Sequence, residues 1–255
     1  MASETKRGRL ADKVAIVTGG GSGFGAGIAS AFAAEGAKVV IADVNAAAAE
    51  AIAKTLGGAA RAVRTDVSID ADVKVLAEAA HEFGGRIDIL VNNAGVGQGP
   101  QPLEGVAEAE FDRLFAVNAK SVYLTARHVV PAMKAAKAGA ILNIASSGGV
   151  SPRPNLAWYN ASKGWMIAAT RAMAIELARF SLRVNAINPV AGDTPLLATF
   201  MGEDTPEARA RILTTIPLRR LSTPADIAAA AVFLCSDEAS MITGVALEVD
   251  GGRCL

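Results

Sequence analysis

Short runs of apolar, often β-branched residues alternate with longer alanine-rich stretches along nearly the whole 255-residue chain. Most runs are apolar at every position, which is typical of strands covered by helices on both faces. We predict strands at Val14–Thr18, Lys38–Ala42, Ala62–Thr65, Ile87–Asn92, Ala140–Ala145, Leu182–Ile187 and Ala246–Val249. We predict helices at 23–35, 45–56, 70–83, 107–137, 157–179 and 224–235. This alternation, with short connections, predicts an α/β fold with a doubly wound parallel sheet and helices on both faces.

The chain is expected to form one domain over residues 1–255, because 51 % of its residues are hydrophobic and no repeat or linker interrupts the pattern. The polar residues 1–10 are expected to be flexible. Residues 190–217 break the strand–helix rhythm with several prolines and glycines around an apolar Leu196–Met201 stretch. An insertion of this length after a strand favours a substrate-binding lid, and the alternative is a surface segment that packs on a neighbouring subunit.

Charge and composition argue against several classes of protein. Twenty-five basic residues balance twenty-five acidic ones, whereas a nucleic-acid-binding protein usually carries a basic excess. No stretch approaches ~18 uninterrupted apolar residues, so we expect no membrane association. The two cysteines and two histidines lack metal-ligand spacing, which predicts no metal site. The N-terminus lacks the apolar segment of a secretory signal, and a cytoplasmic location is expected.

A glycine-rich turn follows the first predicted strand and opens the first predicted helix. It reads T-G-G-G-S-G-F-G and contains Gly19, Ser22, Gly23, Phe24 and Gly25. Glycines let the backbone approach a diphosphate closely, and the free N–H groups of a helix N-terminus attract the anion. The G-x-x-x-G-x-G spacing differs from the G-x-G-x-x-G dinucleotide fingerprint, and a tight structural turn would look similar. The strand before it and the helix after it favour a dinucleotide site.

Asp43 stands at the end of the second predicted strand, 18 residues beyond Gly25. An acidic side chain there accepts hydrogen bonds from the hydroxyls of an adenosine ribose and repels a 2′-phosphate. Ser22 supplies no basic partner in the loop. We therefore expect NAD(H) to be preferred over NADP(H), with a solvated loop aspartate as the alternative interpretation.

Tyr159 and Lys163 stand four residues apart in Y-N-A-S-K, which places them on one face of a helix. A free tyrosine has a pKa of ~10, and a nearby ammonium favours the phenolate. We therefore expect Lys163 to lower the pKa of Tyr159, so that the phenol exchanges a proton with a substrate oxygen. Such a pair taken alone is more often an ordinary exposed pair, and the other motifs decide between the two interpretations.

The glycine spacing, N-N-A-G at 92–95 and Y-x-x-x-K at 159–163 together resemble the short-chain dehydrogenase/reductase family in its single-domain, NAD-preferring form. The resemblance runs from about Lys13 to Gly252 and implies a Rossmann fold. It implies a catalytic group of Asn118, Ser146, Tyr159 and Lys163, with Ser147 as the rival to Ser146. It implies cofactor contacts from Gly19, Ser22, Gly23, Phe24, Gly25, Asp43, Asp66, Val67, Asn93, Ala94, Gly95, Tyr159, Lys163, Pro189 and Thr194.

The family commonly has proline-glycine where this chain reads Pro189-Val190, so the backbone contacts of that segment are open. In the implied chemistry Ser146 donates to the substrate oxygen, and Asn118 holds water that relays protons. Lys163 would also hydrogen-bond the nicotinamide ribose.

The predicted activity is hydride transfer between NAD(H) and a small-molecule secondary alcohol or ketone with an apolar or cyclic body. The alternatives within the family are a 3-oxoacyl-thioester reductase and a sugar dehydrogenase. The alternative from another class is a dinucleotide-binding regulator without catalysis. The apolar surface of the long helices 107–137 and 157–179, together with the resemblance, predicts a homotetramer.

Overall fold

The computed structural model of the protein describes residues 8–202 and 205–255. Within them lie the strands β1 (Val14–Thr18), β2 (Lys38–Asp43), β3 (Ala60–Arg64), β4 (Ile89–Asn92), β5 (Gly139–Ile144), β6 (Leu182–Pro189) and β7 (Ala246–Val249). The helices are α1 (Gly23–Ala34), α2 (Ala46–Leu56), α3 (Asp70–Gly84), α4 (Glu108–Phe115), α5 (Ser121–Ala136), α6 (Ala157–Leu177), α7 (Leu197–Met201), α8 (Pro206–Thr214) and α9 (Pro224–Cys235).

The strands form one parallel sheet in the order β3-β2-β1-β4-β5-β6-β7. The order reverses direction between β1 and β4, and open α/β sheets bind ligands outside the carboxyl ends of their strands at such a point. The predicted doubly wound parallel sheet is confirmed, and the glycine-rich turn after β1 lies at this reversal.

Both faces of the sheet are covered by apolar layers. Helices α1, α2 and α9 bury one face, where Ile28, Phe32 and Ile227 are fully enclosed. Helices α3, α5 and α6 bury the other, where Leu76 and Met133 pack against the strands. Burying a side chain of this size stabilises the fold by about 1.5–3 kcal/mol relative to leaving it exposed. Because both faces are buried, the strands are apolar at consecutive positions rather than at alternate ones.

The structure corrects two predictions about local conformation. Residues 8–10 were expected to be flexible, yet Leu10 is fully buried in the core and the Arg9 guanidinium pairs with Glu35 at 2.6 Å. The remaining residues of the predicted flexible segment, 1–7, lie outside the described residues. The predicted helix 107–137 is two helices, because Ala116–Lys120 forms a π-helical turn between α4 and α5.

The segment 190–217 contains two short helices that the sequence analysis did not predict, α7 and α8. Residues 203 and 204 of this segment lie outside the described part of the chain. Thr205 caps α8 by accepting a hydrogen bond from the Ala208 N–H at 3.2 Å, and Pro206 occupies its first turn.

In the described part of the chain, none of the helices combines the length and the hydropathy needed to cross a bilayer.

Candidate active site

A cavity of about 730 Å³ opens at the carboxyl ends of the strands and collects most of the predicted site residues. Its walls include Gly19, Ser22, Gly23, Phe24, Asp43, Asp66, Val67, Asn93, Ala94, Gly95, Ser146, Tyr159, Lys163, Pro189 and Thr194. Gly25 and Asn118 lie behind the wall rather than in it. Residues that are up to about 175 positions apart in the chain thus meet because parallel strands end at one edge of the sheet.

The glycine-rich turn is packed too closely for side chains at two of its positions. Gly19 has a φ of +62°, and a Cβ atom there would lie 2.9 Å from the Ala94 Cα atom. A Cβ atom on Gly25 would lie 2.1 Å from the Gly19 carbonyl oxygen. The turn is held to β4 by Asn93, whose Nδ2 donates to the carbonyls of Thr18 at 2.9 Å and Gly19 at 3.1 Å. The backbone is therefore pressed against the end of the sheet and leaves the space above it open.

Asp43 lies at the end of β2 and braces the glycine-rich turn. Its Oδ2 accepts a hydrogen bond from the Gly21 N–H at 2.9 Å, and its Oδ1 accepts one from the Asn45 N–H at 2.9 Å. Each carboxylate oxygen has a second lone pair, and the side chain faces the cavity, so it retains acceptor capacity for a hydroxyl group there. The residue thus has a structural role that the sequence analysis did not foresee.

Asp66 marks the cavity wall beyond β3. Its Oδ1 accepts hydrogen bonds from the Ser68 Oγ at 2.6 Å and the Ser68 N–H at 2.9 Å. These two hydrogen bonds lower the pKa of Asp66 below its ordinary value. The carboxylate is therefore fixed and charged at the end of the cavity that Asp43 also lines.

Ser146 and Tyr159 face each other at the middle of the cavity. Ser146 follows β5 and caps a short 3-10 turn, where its Oγ accepts a hydrogen bond from the Gly148 N–H at 3.0 Å. Tyr159 lies in the first turn of α6 and is 7 % exposed. Its interaction with the Ser146 side chain supports the choice of Ser146 over Ser147 as the partner of the phenol.

The acidity of Tyr159 differs from the sequence-based expectation. Burial raises the pKa of Tyr159 above its ordinary value, while the Ser146 hydroxyl and the positive charge of Arg153 act to lower it. The Lys163 ammonium lies 6.0 Å from the centre of the phenol ring and does not reverse this rise. The expected net lowering of the Tyr159 pKa is therefore wrong, because burial of the phenol outweighs the groups that favour the phenolate.

Lys163 is buried one turn along α6 from Tyr159. Its Nζ atom donates a hydrogen bond to the Ile144 carbonyl at 2.9 Å, at the last residue of β5. Burial lowers the pKa of Lys163 to about 8. A single described hydrogen bond leaves two of the three ammonium donors free for a group that enters the cavity.

Asn118 lies in the π-helical turn and is fully buried. Its Oδ1 accepts a hydrogen bond from the Val96 N–H at 2.8 Å, and its Nδ2 donates to the Val96 carbonyl at 3.0 Å and to Ser162 Oγ at 3.1 Å. Single π-helical turns often occur at functional sites. Here the turn fixes the backbone that follows Gly95 to the helix that carries Tyr159 and Lys163.

Residues 190–201 close the cavity from above. The Thr194 side chain lies over the glycine-rich turn, where a Cβ atom on Gly23 would be 3.2 Å from it. The Phe200 ring packs against the Tyr159 ring with centroids 4.8 Å apart. Leu196, Leu197, Phe200 and Ile212 all line the cavity. The segment predicted as a lid thus places apolar side chains directly over the phenol.

Arg153 also lines the cavity, and the sequence analysis missed it. It stands between two prolines in the loop from β5 to α6, where no helical or strand periodicity marks one face as inward. No sequence pattern that we used would have singled it out.

The cavity fits a dinucleotide on the evidence of its own walls. A backbone turn that excludes Cβ atoms, a helix N-terminus at Gly23, and a carboxylate beyond β2 are the features that hold a diphosphate and a ribose. No group of three or more potential metal ligands exists among the described residues.

Comparisons with known proteins agree with this geometry. A family profile described as enoyl-(acyl carrier protein) reductase matches residues 19–253. The chain is 48 % identical to a 4-formylbenzenesulfonate dehydrogenase of Comamonas testosteroni, over 96 % of this chain and 98 % of the relative. It is 40 % identical to a 7alpha-hydroxysteroid dehydrogenase of Escherichia coli, over 96 % and 95 %.

Among solved structures, a 3-ketoacyl-(acyl-carrier-protein) reductase from Brucella melitensis complexed with NADH superposes with a TM-score of 0.92 at 54 % identity. The match covers 96 % of this chain and 100 % of that one. Together with the parallel sheet and the Tyr159–Lys163 pair, these similarities show that the chain belongs to the short-chain dehydrogenase/reductase family.

Proposed function

We propose that the protein interconverts a secondary alcohol and a ketone by hydride transfer to or from NAD(H). One observation carries the proposal: Ser146, Tyr159 and Lys163 converge on one cavity beside a turn shaped for a dinucleotide. When bound, the nicotinamide supplies or accepts the hydride. The oxygen of the substrate must gain or lose a proton at the same time, and the side chains of this protein supply that proton.

Tyr159 is the proton donor in reduction and the acceptor in oxidation. Its raised pKa keeps the phenol protonated near neutral pH, which suits donation to a ketone oxygen. Ser146 is a neutral hydrogen-bond donor for the same oxygen as negative charge develops on it. The hydroxyls of Ser146 and Tyr159 approach one point in the cavity, so a carbonyl oxygen placed there would accept a hydrogen bond from each.

Lys163 contributes a buried positive charge and two free donors on the side of the cavity near Gly95. These donors are available to a ribose hydroxyl of the dinucleotide. Asn118 holds the Val96 backbone in place, and its predicted role with a proton-relaying water remains a prediction. Loss of either residue is expected to affect both positioning and proton transfer.

NAD(H) is favoured over NADP(H) by the charges of the cavity. The ribose 2′-phosphate of NADP(H) would lie beside Asp43, near the ends of β2 and β3. The basic side chains in the described cavity wall are Arg153 and Lys163, and neither of them lies at that end. The substitution Asp43→Asn removes the charge but keeps an oxygen that accepts the Gly21 N–H. We expect it to lower the affinity for NADH about 10-fold and to raise the affinity for NADPH, as measured by fluorescence titration.

The substitution Asp43→Ala also loses the bonds to Gly21 and Asn45, so we expect NADH to weaken further with it. The affinity for NADH should still fall more than the affinity for NADPH. The substitution removes the acceptor for the ribose hydroxyls of NADH together with the charge that repels the 2′-phosphate of NADPH. Equal losses of NADH and NADPH affinity in Asp43→Asn would contradict the preference.

The apolar lining from residues 196–212 favours a substrate with a hydrophobic or cyclic body. A screen at 340 nm over aliphatic and cyclic secondary alcohols, steroids, sugars and acyl thioesters tests this. Turnover of thioesters alone would contradict it. A broad screen with tight NADH binding and no turnover would favour the non-catalytic regulator instead.

Reduction of 3-oxoacyl thioesters is the second candidate, because the structural neighbour at 54 % identity is named for that reaction. The neutral net charge gives no support for a basic surface that would dock an acidic carrier protein. The screen separates the two candidates if a carrier-bound or coenzyme A thioester is included.

We also propose that the protein is a cytoplasmic homotetramer. Exposed apolar side chains such as Tyr123, Trp165 and Ile175 occur on α5 and α6 and would be covered by helix pairing between subunits. Multi-angle light scattering at micromolar concentration is expected to report a mass near four times 26.0 kDa. A monomer mass would contradict it.

A further inference from the structure

The Arg153 guanidinium lies in the cavity wall near Tyr159 and has no carboxylate partner among the residues that the structure describes. The Arg153 Nη2 atom donates to Thr215 Oγ1 at 3.2 Å, just after α8, and its main-chain carbonyl accepts from Asn160 Nδ2 at 2.8 Å. Within residues 8–202 and 205–255 no carboxylate contacts it. A half-buried arginine normally pairs with an acid, because leaving its charge uncompensated costs desolvation energy.

A second arginine makes the absence of an acid more costly. The Arg253 Nη1 atom donates to Ser151 Oγ at 3.2 Å, and its Nε atom is buried without a hydrogen-bond partner. Burial and the positive charge of Arg253 both lower the pKa of Arg153. Two like charges are thus held together beside the cavity of a chain whose net charge is zero, so bulk composition does not account for them.

Buried Asp250 lies near Arg253, but its two carboxylate oxygens accept hydrogen bonds from the N–H groups of Gly252 and Cys254, each at 2.8 Å. The carboxylates that line the described cavity are remote from Arg153. Asp43 and Asp66 follow β2 and β3, while Arg153 belongs to the loop after β5, three or more strands away. Three strand spacings amount to ~14 Å, which is longer than the Debye length of ~8 Å at physiological ionic strength. The positive potential of Arg153 therefore remains at the substrate end of the cavity.

We propose that Arg153 binds a carboxylate-like oxyanion on the substrate, so that the protein acts on organic acids that carry a ketone or secondary alcohol on an apolar body. The planar guanidinium presents donors that match a carboxylate. Leu196, Phe200 and Ile212 line the same cavity and supply apolar surface for the body of the substrate. This inference rests on the proposed alcohol–ketone activity and specifies its substrate class.

The same arginine has a second effect that the test must separate. Its charge lowers the pKa of Tyr159, so its removal alters proton transfer for every substrate. It also bonds to Thr215 near the lid, so its removal alters lid position for every substrate. Only anion binding discriminates between a charged substrate and its neutral isostere.

The experiment compares 4-acetylbenzoate with 4-acetylbenzamide, two aromatic ketones of nearly equal shape. We expect kcat/KM to favour the carboxylate at least about 10-fold in the unmodified protein. Arg153→Ala should lower kcat/KM for the carboxylate about 10- to 100-fold more than for the amide, chiefly through KM. Arg153→Lys should retain part of the preference. KM for the carboxylate should rise with ionic strength.

Arg211→Ala is the matched control. Arg211 lies on α8 in the same lid segment, is exposed and does not line the cavity, so its loss changes net charge equally. It should leave the carboxylate-to-amide ratio unchanged. The inference would be overturned if the carboxylate-to-amide ratio of kcat/KM were the same in Arg153→Ala and in the unmodified protein. It would also be overturned if the unmodified protein showed no preference for the carboxylate.

Calorimetric titration of both compounds in the presence of NAD⁺ provides a measure that does not need turnover. Arg153-dependent binding of 4-acetylbenzoate with no reduction of either ketone would support the anion site and contradict the proposed activity. Reduction of both ketones without discrimination would leave the activity standing and overturn the anion site.

Discussion

Replacement of Tyr159 by phenylalanine is expected to lower kcat about 10²- to 10⁴-fold while leaving the affinity for NADH nearly unchanged. General acid–base catalysis contributes this much, and the substitution removes only the hydroxyl that carries the proton. The ring remains, so its packing against Phe200, with centroids 4.8 Å apart, is preserved. Steady-state kinetics and NADH fluorescence titration measure the two quantities separately.

The chain offers a matched control for this change, because its sequence contains one other tyrosine, Tyr123. Tyr123 is 54 % exposed on α5, and its hydroxyl contacts Arg127 at the surface. Tyr123→Phe should have normal kcat. Near-normal turnover in Tyr159→Phe would mean that another group moves the proton.

Replacement of Lys163 by methionine is expected to lower kcat/KM at least about 10²-fold and, in the protein without cofactor, to increase stability at neutral pH. The catalytic loss follows because a positive charge and the free donors beside the phenol disappear together. The gain in stability follows because the buried ammonium is costly: a pKa of about 8 against an ordinary value of ~10.4 corresponds to roughly 3 kcal/mol at pH 7.

The sign of the pH dependence follows from the depressed pKa. Between about pH 8 and pH ~10.4, Lys163 is neutral in the folded protein and protonated in the unfolded chain. Unfolding takes up a proton in this window, so the contribution of Lys163 to stability rises with pH and is complete above it. The cost of the buried charge is fully present below about pH 8.

Lys163→Met lacks this titration, and it leaves the Ile144 carbonyl without its donor, which costs about 1 kcal/mol. The variant should therefore be more stable than the unmodified protein at pH 7 by roughly 2 kcal/mol and lose that advantage by pH ~10.4. Urea unfolding at several pH values measures the difference. Lys54→Met, at an exposed position on α2, should show no such trend. A pH-independent difference for Lys163→Met would contradict a buried, titrating lysine.

Several features of the site were predictable from the sequence because they are local. The glycine spacing after β1, Asp43 at the end of β2 and the Tyr159–Lys163 interval are short patterns whose geometry the backbone largely dictates. The predicted helix 224–235 is observed as α9, where Thr223 and Asp226 form a capping box and Pro224 occupies the first turn. Continuous apolar runs predicted the buried strands, and seven of the nine helices that the structure describes follow the six predicted stretches, since α4 and α5 both lie within the single predicted helix 107–137.

Other features depend on contacts that the pattern does not contain. The π-helical turn at Ala116–Lys120 forms around the hydrogen bonds of Asn118 to Val96, 22 residues earlier in the chain. The two short helices after β6 lie in a segment rich in proline and glycine. That composition indicates a loop, and the helix cap at Thr205 alone was too weak a pattern to predict α8. Arg153 lines the cavity only because the fold brings the loop after β5 and the segment 190–212 together there.

The sequence alone determined the order of elements, the parallel sheet and the identity of most side chains around the cavity, because hydrophobic period and turn chemistry act over a few residues. Tertiary structure decided the electrostatics. The spacing showed that Lys163 is near Tyr159, yet whether the pKa of the phenol is raised or lowered depends on how much water reaches it. Likewise, the charges that surround Arg153 come from Arg253 and Tyr159, which are distant from each other in the sequence. Solvation and long-range charge are properties of the folded chain, since they are set by residues distant in sequence.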